Sequence, residues 1–175
     1  MTMANSKMLD ALNEQIKHEY FSSYMYLSMS AYFADMGLSG FARWMRMQSE
    51  EELLHANKMY DYVIARGGKV TLFAIDMPPA EWESPLAVFK FGLEHEQFVT
   101  GRINDLMDMA LSVKDHAAHT FLQWFVTEQV EEEESFNDII NNLKLVKGEG
   151  QGLLLLDREL GARAAPTLDD PAAAN

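Results

Sequence analysis

The sequence predicts an all-α protein: four long helices in a bundle, a long crossover between the second and third, and a short fifth helix towards the C-terminus. Three observations carry this. Apolar residues recur at alternating three- and four-residue spacing along four segments, the pattern of helices that bury one face. Glycine and proline cluster at a few points between those segments, where helices stop. Each apolar stripe also holds a carboxylate near its middle, which ties the helices to one common layer.

The first helix is expected from about Ser6 to Asp35, with the stripe Leu9, Leu12, Ile16, Glu19, Ser23, Tyr26. Gly37-Leu38-Ser39-Gly40 breaks it, and Ser39 is the candidate N-cap of the second helix. The second stripe is Phe41, Met45, Gln48, Glu52, His55, Met59, Tyr62, ending at Gly67-Gly68. A stretch of roughly sixteen residues containing Pro78 and Pro79 follows. Ser84-Pro85, a cap followed by proline at the first helical position, then opens the third helix. Its stripe is Phe89, Leu93, Glu96, Thr100, Ile103, Met107, and it reaches about Val113. After a break at Lys114-Asp115, the fourth helix presents Phe121, Phe125, Glu128, Glu132, Ser135, Ile139 and continues to about Lys147. Gly148, Gly150 and Gly152 punctuate the start of a short helix carrying Leu153-Leu154-Leu155-Leu156. Beyond Gly161 the Ala/Pro/Asp composition, with Pro166 and Pro171, reads as a disordered tail. The expected division is one domain over residues 1–163 and a tail over 164–175.

Loop lengths set the topology. A helix of about 28 residues is ~42 Å long, and sixteen extended residues reach about 53 Å, so the long loop can traverse the bundle. The short breaks make helices one and two antiparallel, and likewise three and four; the traverse leaves two and three parallel. Mid-helix positions then share one layer, and Glu19, Glu52, Glu96 and Glu132 are expected to meet there.

Composition narrows the chemistry. A 175-residue chain with 48% hydrophobic and 11% aromatic content suits one domain with a substantial core. A formal net charge of −13 disfavours nucleic acid or an anionic membrane as partner and favours attraction of cations. Without cysteine, any metal is held by oxygen and imidazole ligands. Residues Met1 to Lys7 lack the apolar run of a signal peptide, and no stretch approaches the ~18 apolar residues of a membrane span. A cytoplasmic, soluble protein is expected.

A buried carboxylate costs several kcal/mol unless it is paired or coordinates a metal, and one lies in every stripe. The sharpest motif is Glu52-Leu53-Leu54-His55. Its i, i+3 spacing puts a carboxylate that can bridge two metals beside an imidazole that can cap one. Alone, such a pair is commonly an accident of a helix face; three further core carboxylates in the same layer raise its weight. Oxygen-rich ligation with one histidine suits iron, and two such cations would neutralise the cluster, giving a di-iron site. The runs Glu50-Glu51-Glu52 and Glu131-Glu132-Glu133-Glu134 would ordinarily be solvated faces. Four consecutive residues sweep about 300° of a helix, however, so at least one turns inward, and stripe position selects Glu132. Gln129, one turn earlier, is either a hydrogen-bond partner of the ligands or a boundary residue. Tyr26 and Trp124 read first as core aromatics, the twelve methionines as core filler, and His18, His95, His116 and His119 as surface residues off the stripes.

With these motifs the chain resembles the bacterial non-haem ferritins. The matching segments are Leu12-Asn13-Glu14-Gln15 with Glu19, Glu51 to His55, His95-Glu96-Gln97, and Phe121-Leu122-Gln123-Trp124 through Glu128-Gln129-Val130-Glu131-Glu132, and the similarity runs from about Ser6 to Gly161. The resemblance implies a ferritin-like four-helix bundle with its long crossover and fifth helix. It implies a first iron site of Glu19, Glu52 and His55 and a second of Glu52, Glu96 and Glu132 with Gln129 nearby. It places Glu51, Glu128 and Glu131 at a third iron site, and Tyr26 and Trp124 beside the centre. Where bacterioferritin has a second Glu-x-x-His and a haem-ligating methionine, this chain has Gln129 with Glu132, and Leu53, so no haem is expected. Miniferritins build their site between subunits and lack a fifth helix, and rubrerythrins need a cysteine-ligated iron. The acidic pair lining the three-fold pore of animal ferritins aligns with His119 and Leu122, so no acidic inlet is implied there.

The implied function is iron storage with ferroxidase activity. Fe²⁺ is oxidised by O₂ or H₂O₂ at the intrasubunit site, and Fe³⁺ is mineralised inside a closed homo-oligomeric shell of roughly two dozen chains, closed symmetry being the norm for homo-oligomers. Two alternatives stand beside it: a redox-silent structural or binding shell, and a di-iron oxygenase acting on an organic substrate. The leucines at 153–156 also favour self-association, because one face of a short helix cannot bury all four.

Overall fold

The computed structural model describes residues 3–148 and 150–167. Five helices occupy them: α1 (Met3–Asp35), α2 (Ser39–Ala65), α3 (Pro85–Ser112), α4 (His116–Leu145) and α5 (Gly150–Leu160). α1 begins before the expected Ser6. Residues 168–175 of the expected tail lie outside the described residues.

Helix ends follow local chemistry in three places. Ser84 caps α3 by accepting from Ala87 N at 3.2 Å, with Pro85 at the first helical position. Asp115 caps α4 by accepting from Ala118 N at 3.1 Å, and is itself clamped by Arg66 at 3.0 Å. α2 closes at Gly67, whose φ of 72° is the left-handed region that favours glycine; Gly67 N donates to Ile64 O and Gly68 N to Val63 O. The fourth end corrects the sequence reading. Ser39 does not cap α2: Leu38 holds that position without a side-chain bond. The free amides of Gly40 and Phe41 instead donate to Asp157 Oδ1 of α5, at 2.8 and 3.0 Å.

Cross-helix contacts fix the direction of each helix. Ser23 bonds Ser49 O and Ser30 bonds Ala42 O, so α1 and α2 run antiparallel. Arg102 bonds Gln15 and His95 meets Ser22, so α1 and α3 are antiparallel as well, which leaves α2 and α3 parallel. α3 and α4 are antiparallel, with Phe136 against Gly92 and Glu133 bonded to Thr100. The crossover climbs along α1. Asn13 side-chain atoms hold Lys69 O and Thr71 N near its start, Ser28 donates to Pro79 O, and Tyr32 donates to Trp82 O near its end.

The core has two apolar halves. One is built around Tyr26, Phe33, Phe41, Trp44, Phe89 and Phe136, the other around Leu12, Ile16, Met59, Ile103, Leu122 and Phe125. Between them lies a buried polar layer containing Glu19, Ser23, Gln48, Glu52, His55, Glu96, Gln129 and Glu132. Three stripes differ from expectation, the first on α2, where Tyr62 is half-buried and Val63 is buried. On α3, Leu93, Thr100 and Met107 are half-buried, and Val88, Gly92, Val99, Leu106 and Ala110 complete the inward face. On α4, Ser135 is exposed and Phe136 is buried in its stead. The reason is Gly92, where an added Cβ would stand 2.3 Å from the Phe136 ring: the missing side chain on α3 makes the space that draws Phe136 inward.

Candidate metal centre

Each of the four long helices delivers one carboxylate to the polar layer, and each is nearly inaccessible: Glu19 and Glu96 are 1% exposed, Glu52 2% and Glu132 5%. His55, one turn after Glu52 on α2, is equally buried at 2%. Glu19, Glu52 and His55 each offer a ligand atom within 4.8 Å of the others, the one such group of metal-binding side chains among the described residues. His55 Nδ1 stands 3.5 Å from Glu52 Oε2. Glu96 and Glu132 face Glu52 closely enough for their charges to act on it, and complete the layer from α3 and α4.

Polar neighbours hold these carboxylates in defined rotamers. Tyr26 OH donates to Glu96 Oε1, while Gln129 Nε2 donates to Glu96 Oε2 and to the Glu96 carbonyl, both at 3.2 Å. Gln129 is thus a hydrogen-bond partner of a candidate ligand, which settles the open choice between partner and boundary residue. Gln15 Nε2 donates to Glu19 Oε1 at 2.9 Å and Gln48 Nε2 to Glu132 Oε2. Each of these two glutamines is locked by an arginine: Arg102 Nε donates to Gln15 Oε1 at 2.9 Å, and Arg163 Nη1 to Gln48 Oε1 at 2.6 Å. A guanidinium only donates, so the amide oxygen must face it and the amide nitrogen must face the carboxylate. These arginine–glutamine pairs had no assigned role in the sequence, because nothing in its spacing links α1 to Arg102 or α2 to a residue beyond α5.

Electrostatics in the layer are unfavourable for carboxylates alone. Burial raises the pKa of Glu52 well above the ordinary range, and the like charges of Glu96, Glu19 and Glu132 raise it further. Burial does the same to Glu132, reinforced by Glu96 and Glu51. Glu96 is pushed up to about 7 by burial, against the pull of its bonds from Tyr26 and Gln129. Glu19 is raised by burial, and its Oε2 is fully buried with no hydrogen-bond partner among the described residues. His55 moves oppositely: burial, with Lys58 adding to it, lowers its pKa to about 4, so at neutral pH the imidazole is uncharged and its lone pair is available. Buried carboxylate oxygens, one of them on Glu19 without a donor, beside a neutral imidazole nitrogen are a donor set that fits a divalent cation.

The remaining candidates are placed as follows. Tyr26 is fully buried against Phe136, with ring centroids 5.7 Å apart. Trp124 lies edge-on to His55 at 5.4 Å, with Lys58 Nζ 4.4 Å above its ring. Glu51 is half-buried and ion-paired with Arg163, Glu128 is half-buried, and Glu131 is exposed. Of the four histidines read as surface residues, only His116 is exposed; His18, His95 and His119 are half-buried. His95 in particular packs edge-on to Tyr26, with its Nε2 2.7 Å from Ser22 Oγ. Ser22 donates to the His18 carbonyl, so its oxygen accepts from His95, and burial first, then His18, lowers the His95 pKa to about 4. A residue off the stripe is thereby drawn inward by a serine that periodicity does not flag.

Comparison with known proteins agrees with this architecture. The family profile described as a ferritin-like domain matches residues 9–146. The bacterial non-heme ferritin of Bacteroides fragilis is 45% identical over 161 residues, spanning 92% of this chain and 100% of the relative. That of Staphylococcus saprophyticus is 41% identical over 162 residues, 93% of this chain and 97% of the relative. Among solved structures, an open pore ferritin from the archaeon Archaeoglobus fulgidus superposes with a TM-score of 0.90 at 52% identity, covering 93% of this chain and 100% of that one. A closed form of the same ferritin, engineered by site-directed mutagenesis, gives 0.91 at 51% identity, covering 95% and 99%. With its helix order, its crossover and its layer of buried carboxylates, this chain belongs to the ferritin-like family.

Proposed function

We propose that the protein is an iron-storage ferroxidase: it binds Fe²⁺ as substrate in the buried layer, oxidises it with O₂ or H₂O₂, and stores the Fe³⁺ as a mineral inside a hollow homo-oligomeric shell. The observation that carries this reading is the gathering of Glu19, Glu52 and His55 within 4.8 Å, with a buried Glu19 oxygen that has no donor. The naming of its relatives as non-heme ferritins supports it.

In this reading Glu52 bridges two irons, Glu19 and His55 complete the first, and Glu96 and Glu132 complete the second. Gln129 and Tyr26 hold Glu96, and Glu51, Glu128 and Glu131 form an auxiliary third site. Bound cations offset the like charges gathered in the layer, and the anionic oxygens stabilise Fe³⁺ more than Fe²⁺ where water is excluded. Two irons side by side supply the two electrons that one O₂ or H₂O₂ accepts. No described helix is long and apolar enough to cross a membrane, and a cytoplasmic store is proposed.

The test is Glu52→Ala. Removing the bridge disables both irons, so rapid Fe²⁺ oxidation in air is expected to be lost while the helical content is kept. A loss of about tenfold or more in initial rate is expected from removing a shared ligand. Initial rates close to those of the unaltered protein would refute the assignment.

A further inference from the structure

The two oxygens of Glu19 are treated differently by the fold. Oε1 accepts from Gln15 Nε2 at 2.9 Å, whereas Oε2 is fully buried and has no hydrogen-bond partner among the described residues. Gln15 lies one turn before Glu19 on α1 and is wholly buried. What decides which end of its amide meets Glu19 comes from another helix: Arg102 of α3, half-buried, donates through Nε to Gln15 Oε1 at 2.9 Å. Arg163, Gln48 and Glu132 repeat the same arrangement at another carboxylate of the layer.

We propose that Arg102 is a positioning residue of the metal centre: by fixing the Gln15 amide it commits Glu19 Oε1 to a hydrogen bond and leaves Oε2 as the oxygen offered to the cation. The proposal rests on the reading of Glu19 as a metal ligand. A guanidinium carries donors only and keeps its charge, so it accepts one orientation of the amide. The flipped amide would set donor against donor at Arg102 and acceptor against acceptor at Glu19. Without Arg102 that constraint is gone, and an amide oxygen turned towards Glu19 would push the carboxylate out of the rotamer that presents Oε2. Charge alone would act the other way, because an arginine near Glu19 repels a cation bound there and its removal would tighten binding. The two accounts therefore predict opposite signs.

Zn²⁺, a redox-inert probe, is titrated calorimetrically into the metal-free protein. Glu19→Ala and His55→Ala first identify the ion to follow, as the one lost in both. Arg102→Met is expected to weaken that ion about tenfold at unchanged helical content, and Arg102→Lys, which keeps a charged donor, to recover most of the affinity. Gln15→Met is expected to weaken it similarly, and adding Arg102→Met to Gln15→Met to change the affinity by no more than about twofold, since the arginine acts through the amide. Equal or tighter binding in folded Arg102→Met overturns the proposal, and so does a second full loss in the Gln15→Met background. Should Arg102→Met lose helical content, full affinity in Gln15→Met overturns it instead. If Glu19→Ala and His55→Ala bind as many Zn²⁺ as the unaltered protein, the metal-centre reading itself fails and the proposal falls with it.

Discussion

Glu19, Glu52, Glu96 and Glu132 share one sign of charge in a layer shielded from water, and this makes metal-free protein sensitive to pH in a defined direction. Carboxylates whose folded pKa is raised contribute stability below their unfolded pKa, and that stability is lost as pH rises through the folded value. His55 and His95 are lowered to about 4 and act oppositely, but only below the ordinary histidine value of 6.5. Above it the carboxylates act alone, and Glu96 titrates near 7. Metal-free protein is therefore expected to melt lower at pH 8 than at pH 6.5 by several degrees, at roughly 2–4 °C per kcal/mol. Zn²⁺-loaded protein is expected to show a smaller drop or none, and Glu52→Gln to reduce the drop without metal. Equal pH dependence with and without Zn²⁺, read by calorimetry, would contradict the electrostatic account. The five charged or imidazole groups of this layer were legible in the sequence because a glutamate on an apolar stripe has no inexpensive alternative. The residues that orient them were not. Gln15 and Gln48 become meaningful only when folding brings Arg102 and Arg163 to them, and His95 only when Ser22 faces it.

At the scale of elements, the junction of α2 with α5 carries the most specific packing. The backbone at Gly40 touches that of Asp157 so closely that an added Cβ would lie 1.6 Å from the Asp157 carbonyl oxygen. The same aspartate caps α2. Gly40→Ala is accordingly expected to undock α5, since neither backbone can yield, while the four long helices keep their own buried faces. Hydrogen exchange would report this as rapid exchange confined to α5 and the first turn of α2; unchanged protection of α5 would show that the contact is dispensable. Losing the Asp157 cap alone is expected to cost about 1 kcal/mol. This junction explains where sequence reading erred. Ser39 is a good capping residue in a good position, but a carboxylate more than a hundred residues away in the chain captures the same amides, and local pattern cannot see it. Ser84 was legible because its partner lies three residues on, and Asp115, read only as part of a break, turns out to cap α4 in the same local way. The crossover was legible from its length alone, while its anchorage on Asn13 was not.

For the whole molecule, α5 leaves a surface that the single chain does not cover. Leu156 and Leu160 enter the core, whereas Leu154 and Leu155 are 58% and 65% exposed. Together with Gln151 and Arg158 they line a shallow groove of about 210 Å³. Sequence alone forecast this division, since four successive leucines surround a helix that has one face to bury. Leu154→Arg with Leu155→Arg is expected to weaken assembly while preserving the bundle, because both side chains are exposed. Sedimentation velocity checks it: the double variant should run as smaller species than the unaltered protein, and an unchanged distribution would place the subunit contacts elsewhere. One measurement addresses the buried centre and the shell together. Fe²⁺ is added in air far beyond the capacity of the centre, and iron and protein are then quantified in the same sedimenting fractions. Soluble ferric iron in large excess over the ligand set, moving with a large closed particle, is expected. Uptake that stops at the capacity of the centre, ferric precipitate separate from the protein, or a protein that sediments as a monomer or simple dimer would contradict it.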